Sequence, residues 1–486
     1  MKRRDVMSSG ALACLAPGFA TGATPGVDAP PEPGPQRAIV VPTASAQRLA
    51  NGLQLLTVAR AGVPLVTASL YVRAGRESDP AALAGLAAIT AGLLSKGARR
   101  GGKARSASAL AQDAEALGSA LDASANWRVA SLSMTITTPK LDAALALLAD
   151  LARAPEFEPA ELERLRTQSL DGLRITLASP GDVAALAARR AFWGDSAYGG
   201  SATPGSLPRI SRDHVRRFHA ERYQPDQAVV VLAGAITPPQ ALGMVTRHFG
   251  GWMGQAAPLP EPGAARAIGS SVVLIDMPGS GQSGVLVAAP FAAIAANDRR
   301  VAEVAAALVG GDYSARLNQE IRIKRGLSYG AYGGGESQRV GGWFSAQAQT
   351  DHPNAVVVAQ IMRDELLRAG RELAPREELA ARQATLIGSF ARQLTTTSGL
   401  AGQVASQWFQ GRPLDALGAY VADVLAVTPE QVRDYAARAW TAGSLRTVIS
   451  ADVAAAGASM AGLAEDTLRL RLDELDLDSA ALVTRR

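Results

Sequence analysis

The chain has 486 residues, 48% of them hydrophobic and 19% charged, which is enough apolar content to bury more than one core and excludes a disordered chain. Lys and Arg outnumber Asp and Glu by 49 to 44, but they are scattered and aromatic residues make up only 5%, which excludes a stacking platform for nucleic acid. The densest basic stretch, Lys96 to Arg105, is glycine-rich and lies between two helical patterns, so it reads as a solvated loop.

Residues 1–23 read as an export signal. Lys2, Arg3 and Arg4 precede an apolar run too short to span a bilayer, and small residues follow near Ala20 to Ala23. Arg3-Arg4-Asp5-Val6-Met7 resembles a twin-arginine signal, which implies export of a folded protein to the periplasm. Lipoprotein anchoring at Cys14 is the lesser reading, because the apolar run before it is short. Cys14 is the one cysteine; a chain that has lost its signal then has no thiol for disulfides, nucleophilic chemistry or metal ligation. Residues 24–40 include APPEPGPQ and read as a proline-rich tether.

The first lobe, residues 41–252, opens with strands at 47–60 and 64–74, followed by helices at 80–95 and 107–117. A strand at 127–138 leads to helices at 141–152, 159–177, 182–192 and 211–222, then a strand at 228–234 and a helix at 237–249. Residues 253–267, MGQAAPLPEPGAARA, have the composition of a linker. In the second lobe, 268–452, strands fall at 270–276, 283–289, 342–349 and 445–450. Its helices fall at 298–308, 314–324, 354–368, 375–393 and 429–440. Residues 453–486 form a C-terminal extension whose alternating Leu468, Leu470 and Leu472 suggest an edge strand or a partner contact.

The two lobes are copies of one unit. Residues 210–234 align without gaps to 427–451, an offset of 217 that pairs Val215 with Val432, Phe218 with Tyr435, Tyr223 with Trp440 and Val231 with Val448. The same register pairs Leu162 with Leu379 and Phe192 with Phe409. Strands and helices come in blocks, so each copy is expected to be an α+β layer, a sheet covered by helices.

Arg73-Ala74-Gly75, then Gly85-Leu86-Ala87, then Lys96-Gly97 resemble the segment in which the pitrilysin, insulinase and mitochondrial processing peptidase family carries His-x-x-Glu-His. The resemblance covers nearly all of the chain beyond the tether and implies two lobes of the pitrilysin-like metallopeptidase fold. In active relatives the two histidines hold zinc and the Glu activates the bound water. The corresponding residues are Ala88, Ala91 and Gly92, which offer neither ligand nor base. The third family ligand is a Glu on a later helix, and its place falls at Gly172, beside Asp171. Four histidines, His214, His219, His248 and His352, are dispersed and read as solvated or capping residues, which leaves little for a new metal site. No metal is expected in this chain.

Arg322 and Tyr329, separated by six residues in EIRIKRGLSY, resemble the Arg and Tyr with which the second lobe of relatives reaches the substrate on the zinc. Gly326 can end the helix, leaving Arg322 in its last turn and Tyr329 on the following strand. A tyrosine hydroxyl so placed can donate to an oxyanion and an arginine can hold a substrate carbonyl. Gly310-Gly311 and Gly333-Gly334-Gly335 are open between a flexible substrate loop and plain turns. The resemblance implies a non-catalytic subunit of a heterodimeric zinc endopeptidase: the homologous partner supplies zinc and His-x-x-Glu-His, and this chain supplies Arg322, Tyr329 and half of a chamber for unfolded peptide. The alternative is a peptide-binding or scaffold protein without proteolysis. Neither reading involves nucleic acid or a transmembrane span.

Overall fold

The computed structural model describes residues 39–484; the export signal, Cys14 and nearly all of the proline-rich tether lie outside the described residues. In chain order the first half runs β1 (Ser45–Arg48), β2 (Gln54–Ala59), β3 (Leu65–Val72), α1 (Leu86–Leu94), β4 (Gly97–Arg100), β5 (Lys103–Ser106), α2 (Ala107–Ala116), β6 (Asp122–Ala125) and β7 (Ala130–Thr137). Then come α3 (Leu141–Arg153), α4 (Pro159–Ala178), α5 (Pro180–Trp193), α6 (Arg212–Arg222), β8 (Ala228–Gly234) and α7 (Pro238–Phe249). The second half runs β9 (Val272–Asp276), β10 (Ser283–Pro290), α8 (Arg299–Gly310), α9 (Arg316–Asn318), β11 (Ala331–Gln338), β12 (Gly341–Thr350) and α10 (Ala355–Ala369). It closes with α11 (Arg376–Gln393), α12 (Thr397–Phe409), α13 (Ala416–Leu425), α14 (Pro429–Ala439), β13 (Arg446–Ala451) and β14 (Leu468–Arg471).

Two six-stranded sheets form, in the orders β1-β2-β8-β3-β7-β6 and β14-β9-β13-β10-β12-β11. Five strands of one match five of the other in place. The repeat is visible in the helices too: α6 begins at 212 and α14 at 429, α4 at 159 and α11 at 376, α5 at 180 and α12 at 397, each pair 217 apart. The sixth place differs. It is filled in the first sheet by β1, antiparallel to β2, and in the second by β14, parallel to β9, so the C-terminal extension supplies an edge strand.

Two helices cross between the halves. The small face of α5, with Val183, Ala184, Ala187, Ala188 and Ala191, packs on Ile275, Leu286 and Val448 of the second sheet. Its start is pinned there, since Ser450 Oγ donates to Pro180 O and a Cβ on Gly284 would stand 2.4 Å from that same oxygen. The equivalent helix α12 packs on β8, β3 and β2 of the first sheet, and the hydroxyls of Thr397 and Thr67 hydrogen-bond at 2.8 Å. The two sheets thus lie on either side of residues 253–267 in the chain, whereas the helices that cover them do not. With α12 on one face and α3 and α7 on the other, β8 is buried along its whole length.

Three local expectations change. Lys96 to Arg105 is not a loop: β4 and β5 form a hairpin whose turn, Gly101-Gly102, has φ of +55° and +81°. Gly333-Gly334-Gly335 is part of β11, paired in register with β12. Gly333 and Gly335 serve packing, because a Cβ on Gly335 would stand 2.2 Å from the Phe291 ring, one on Gly333 2.5 Å from the Phe344 ring, and one on Gly310 2.4 Å from Gly333 N. Helices α12 and α13 and strand β6 go beyond the sequence reading.

Candidate functional site

Helix α1 starts where Asp79 accepts the backbone N–H groups of Gly85 at 2.8 Å and Ala87 at 2.7 Å. Burial pushes the Asp79 carboxyl up to about 7, against the pull of those hydrogen bonds and of Arg76. The helix carries Ala88, Ala91 and Gly92, the three residues expected from the sequence to stand in place of His-x-x-Glu-His. Ala88 is exposed, Ala91 is fully buried and Gly92 is half-buried. Across from Gly92 stands α4: a Cβ on Gly92 would lie 2.9 Å from Leu165 Cδ2. Gly172, two turns further along α4, is exposed and a Cβ there would meet nothing within 4 Å. A methyl, a buried methyl, a hydrogen and a leucine thus occupy the surface where α1 meets α4.

The second cluster is built around a distorted helix end. After α9 the backbone widens into one π-type turn, with Lys324 N donating to Gln319 O at 2.9 Å. Gly326 at φ +62° then ends the helix, with Leu327 N donating back to Ile321 O at 2.9 Å. This puts the Arg322 guanidinium 4.7 Å from the Tyr329 ring centroid and 4.9 Å from that of Tyr313. Tyr329 is 89% exposed and sits in the turn before β11, not on a strand. Lys324 and Arg325 are both tied to Glu320, whereas Arg322 has no carboxylate partner among the described residues.

Asn318, fully buried, ties the backbone of Tyr313 to the start of β11. Its amide nitrogen donates to Tyr313 O at 2.6 Å and its oxygen accepts Ala331 N at 3.2 Å. Ser328 Oγ donates to Gln349 O at 2.6 Å, and a Cβ on Gly181 would stand 2.7 Å from the Gln349 amide nitrogen. The tyrosine turn therefore lies next to the junction of α4 and α5. Neither Tyr313 nor Asn318 was singled out as a site residue from sequence.

Two models of one family match the chain: "Insulinase (Peptidase family M16)" over residues 55–183 and "Peptidase M16 inactive domain" over residues 209–386. A peptidase M16 inactive domain from Pseudomonas fluorescens superposes with a TM-score of 0.76 at 25% identity, over 84% of this chain and 98% of that one. The chain belongs to the peptidase M16 family. It is similar to an uncharacterized zinc protease of Streptomyces coelicolor, 25% identical over 79% of this chain and 84% of that protein. It is also similar to a non-peptidase homolog of Helicobacter pylori, 23% identical over 77% of this chain and 86% of that protein.

The chain is an inactive M16 member. Among the described residues no group of three or more His, Cys, Asp and Glu is arranged to hold a metal, and no helix is long and apolar enough to cross a membrane. The histidines differ from expectation. His214 does cap α6, but His219 is enclosed, with Nε2 at 2.9 Å from Ala152 O and its ring stacked 4.7 Å from that of Tyr223. Burial pushes His219 down to about 4. His352 is buried between Ser283 Oγ and Ser280 O, each at 2.8 Å, and His248 pairs with Asp142 at 3.0 Å. All four are structural.

Proposed function

We propose that this chain is the non-catalytic subunit of a two-chain zinc endopeptidase of the bacterial periplasm. A homologous partner carries His-x-x-Glu-His and the zinc; this chain contributes Arg322, Tyr329 and half of a chamber that encloses unfolded peptide. One observation carries the reading: a chain without its own zinc residues holds Arg322 between two tyrosines and leaves Tyr329 89% exposed. Exposed aromatic rings around an unpaired guanidinium cost solvation and order with no return to this chain's own packing. They suit a substrate or partner.

In a site whose zinc the partner would supply, the Tyr329 hydroxyl would donate to the developing oxyanion of the scissile peptide carbonyl, and Arg322 would hold a neighbouring carbonyl. The test mixes this chain with the M16 protein bearing His-x-x-Glu-His from the same cell and follows cleavage of an unfolded peptide. The mixture is expected to be active and each chain alone inert, with Tyr329→Phe reducing kcat by about 100-fold or more. Full activity of the Tyr329→Phe mixture removes the catalytic role. An inert mixture with zinc bound in the partner favours the second reading, a peptide-binding or scaffold protein, to which the similarity with a non-peptidase homolog also points.

A further inference from the structure

Helices α8, α11, α12 and α13 enclose a cavity of about 380 Å³, which shares no lining residue with the Arg322–Tyr329 cluster. That volume is ordinary for a small-molecule site. Three guanidiniums line it, Arg299 and Arg300 at the start of α8 and Arg412 just beyond α12, and they face one carboxylate, Glu303. Glu303 is already shared, with Arg299 Nε at 3.2 Å and Arg300 Nη1 in closer contact. Among the described residues Arg412 has neither a carboxylate nor a side-chain hydrogen-bond partner. Burial pushes the Arg299 guanidinium below its ordinary value; Glu303 opposes this, and the charges of Arg412 and Arg300 add to it. Like charges collected in a partly enclosed space raise the free energy of the empty site, and an added anion lowers it.

A second feature of the wall is independent of charge. Gln403 and Gln410 have partners, in Gln393 and in Arg299 at 2.7 Å. Gln407 also lines the cavity, but it is only 6% exposed and its side-chain oxygen is buried in the wall without a partner. Leaving such a group unsatisfied costs about 1–3 kcal/mol. The opposite wall is aromatic: Phe390 stacks 4.3 Å from Tyr420, whose ring lies 4.2 Å from the Arg300 guanidinium.

We propose that this cavity is a binding site for a small anion of more than one negative charge, a carboxylate or a phosphate, held by Arg299, Arg300 and Arg412. The test uses the full chain and two probes, citrate and inorganic phosphate, each compared with sodium chloride at equal ionic strength. Calorimetry and thermal unfolding are expected to give one-to-one binding of one probe and a higher Tm. Citrate binding assigns the carboxylate class and phosphate binding the phosphoryl class. Arg412→Gln, at a half-buried position without a partner, is expected to fold normally and to weaken binding at least tenfold. Tyr329→Phe is expected to bind as the natural chain does, which separates this site from the proposed peptidase role. No binding of either probe beyond chloride, or unchanged affinity in Arg412→Gln, overturns the proposal.

Discussion

Arg73 Nη2 donates to Trp408 O at 3.0 Å, and its guanidinium carbon stands 4.5 Å from the Trp408 ring centroid, joining the end of β3 to a helix 335 residues away. The contact exists because α12 covers the first sheet while α5 covers the second, so each half completes the other's core. The halves are accordingly expected to unfold as one. Urea transitions followed by tryptophan fluorescence and by far-ultraviolet circular dichroism should coincide; two separated transitions would contradict the exchange. Arg73→Ala removes a cation–π contact and charged hydrogen bonds, and is expected to cost about 2–3 kcal/mol in the same measurement.

Building His-x-x-Glu-His into α1 by Ala88→His, Ala91→Glu and Gly92→His is expected to fail to make a zinc site. Ala91 is fully buried, and a carboxylate there has no cation until a metal arrives; an uncompensated buried charge costs about 3–5 kcal/mol. A side chain at 92 would also collide with Leu165, 2.9 Å from its Cβ. The triple variant should therefore lose stability in thermal unfolding and take up less than one zinc per chain by elemental analysis. Stoichiometric zinc in a folded variant would mean that α1 and α4 separate more readily than their packing implies.

The sheets, most helices and the duplication were legible in the sequence because they rest on periodicity and register, which survive in a single chain. The offset of 217 gives both the position of α14 relative to α6 and that of α12 relative to α5. The exchange of α5 and α12 was not legible, since an alanine-rich face is equally suited to either sheet. The strand β11 was hidden by Gly333-Gly334-Gly335: glycine disfavours a strand locally, and only the close approach of Phe291, Phe344 and Gly310 explains it. At the candidate site, the spacing of Arg322 and Tyr329 was visible, whereas Tyr313 and Asn318 join them through contacts that no spacing rule encodes.

Asp79 and His219 give the stability of this chain two opposing pH dependences. Asp79 is raised from 3.8 to about 7 in the fold, so the unfolded chain loses its proton first: its contribution is full below pH 3.8 and is lost as pH rises to about 7. His219 is lowered from 6.5 to about 4, so the unfolded chain gains a proton first: its contribution is full above pH 6.5 and is lost as pH falls to about 4. Between these limits each slope is at most about 1.4 kcal/mol per pH unit, and the two cancel. His219→Gln should therefore become more stable on acidification from pH 6.5 to 4 relative to the natural chain, and Asp79→Asn less stable. Parallel stability curves for all three proteins would show that neither group carries the shift.

The C-terminal segment completes the second sheet and closes the core beneath it. Arg190 Nε donates to Leu477 O at 2.9 Å, and Leu482, fully buried, packs in the same cluster as α5. Leu482 pays for that burial in its backbone, which sits at φ +62°, a region that costs a non-glycine residue about 1–2 kcal/mol. Leu482→Ala keeps the strain and loses the packing, and is expected to destabilise by about 2–4 kcal/mol. Leu482→Gly loses slightly more apolar surface but releases the strain, so its midpoint in urea should match or exceed that of Leu482→Ala, the reverse of the order at ordinary buried positions. A glycine variant clearly weaker than the alanine variant would mean that the left-handed backbone at 482 carries no strain.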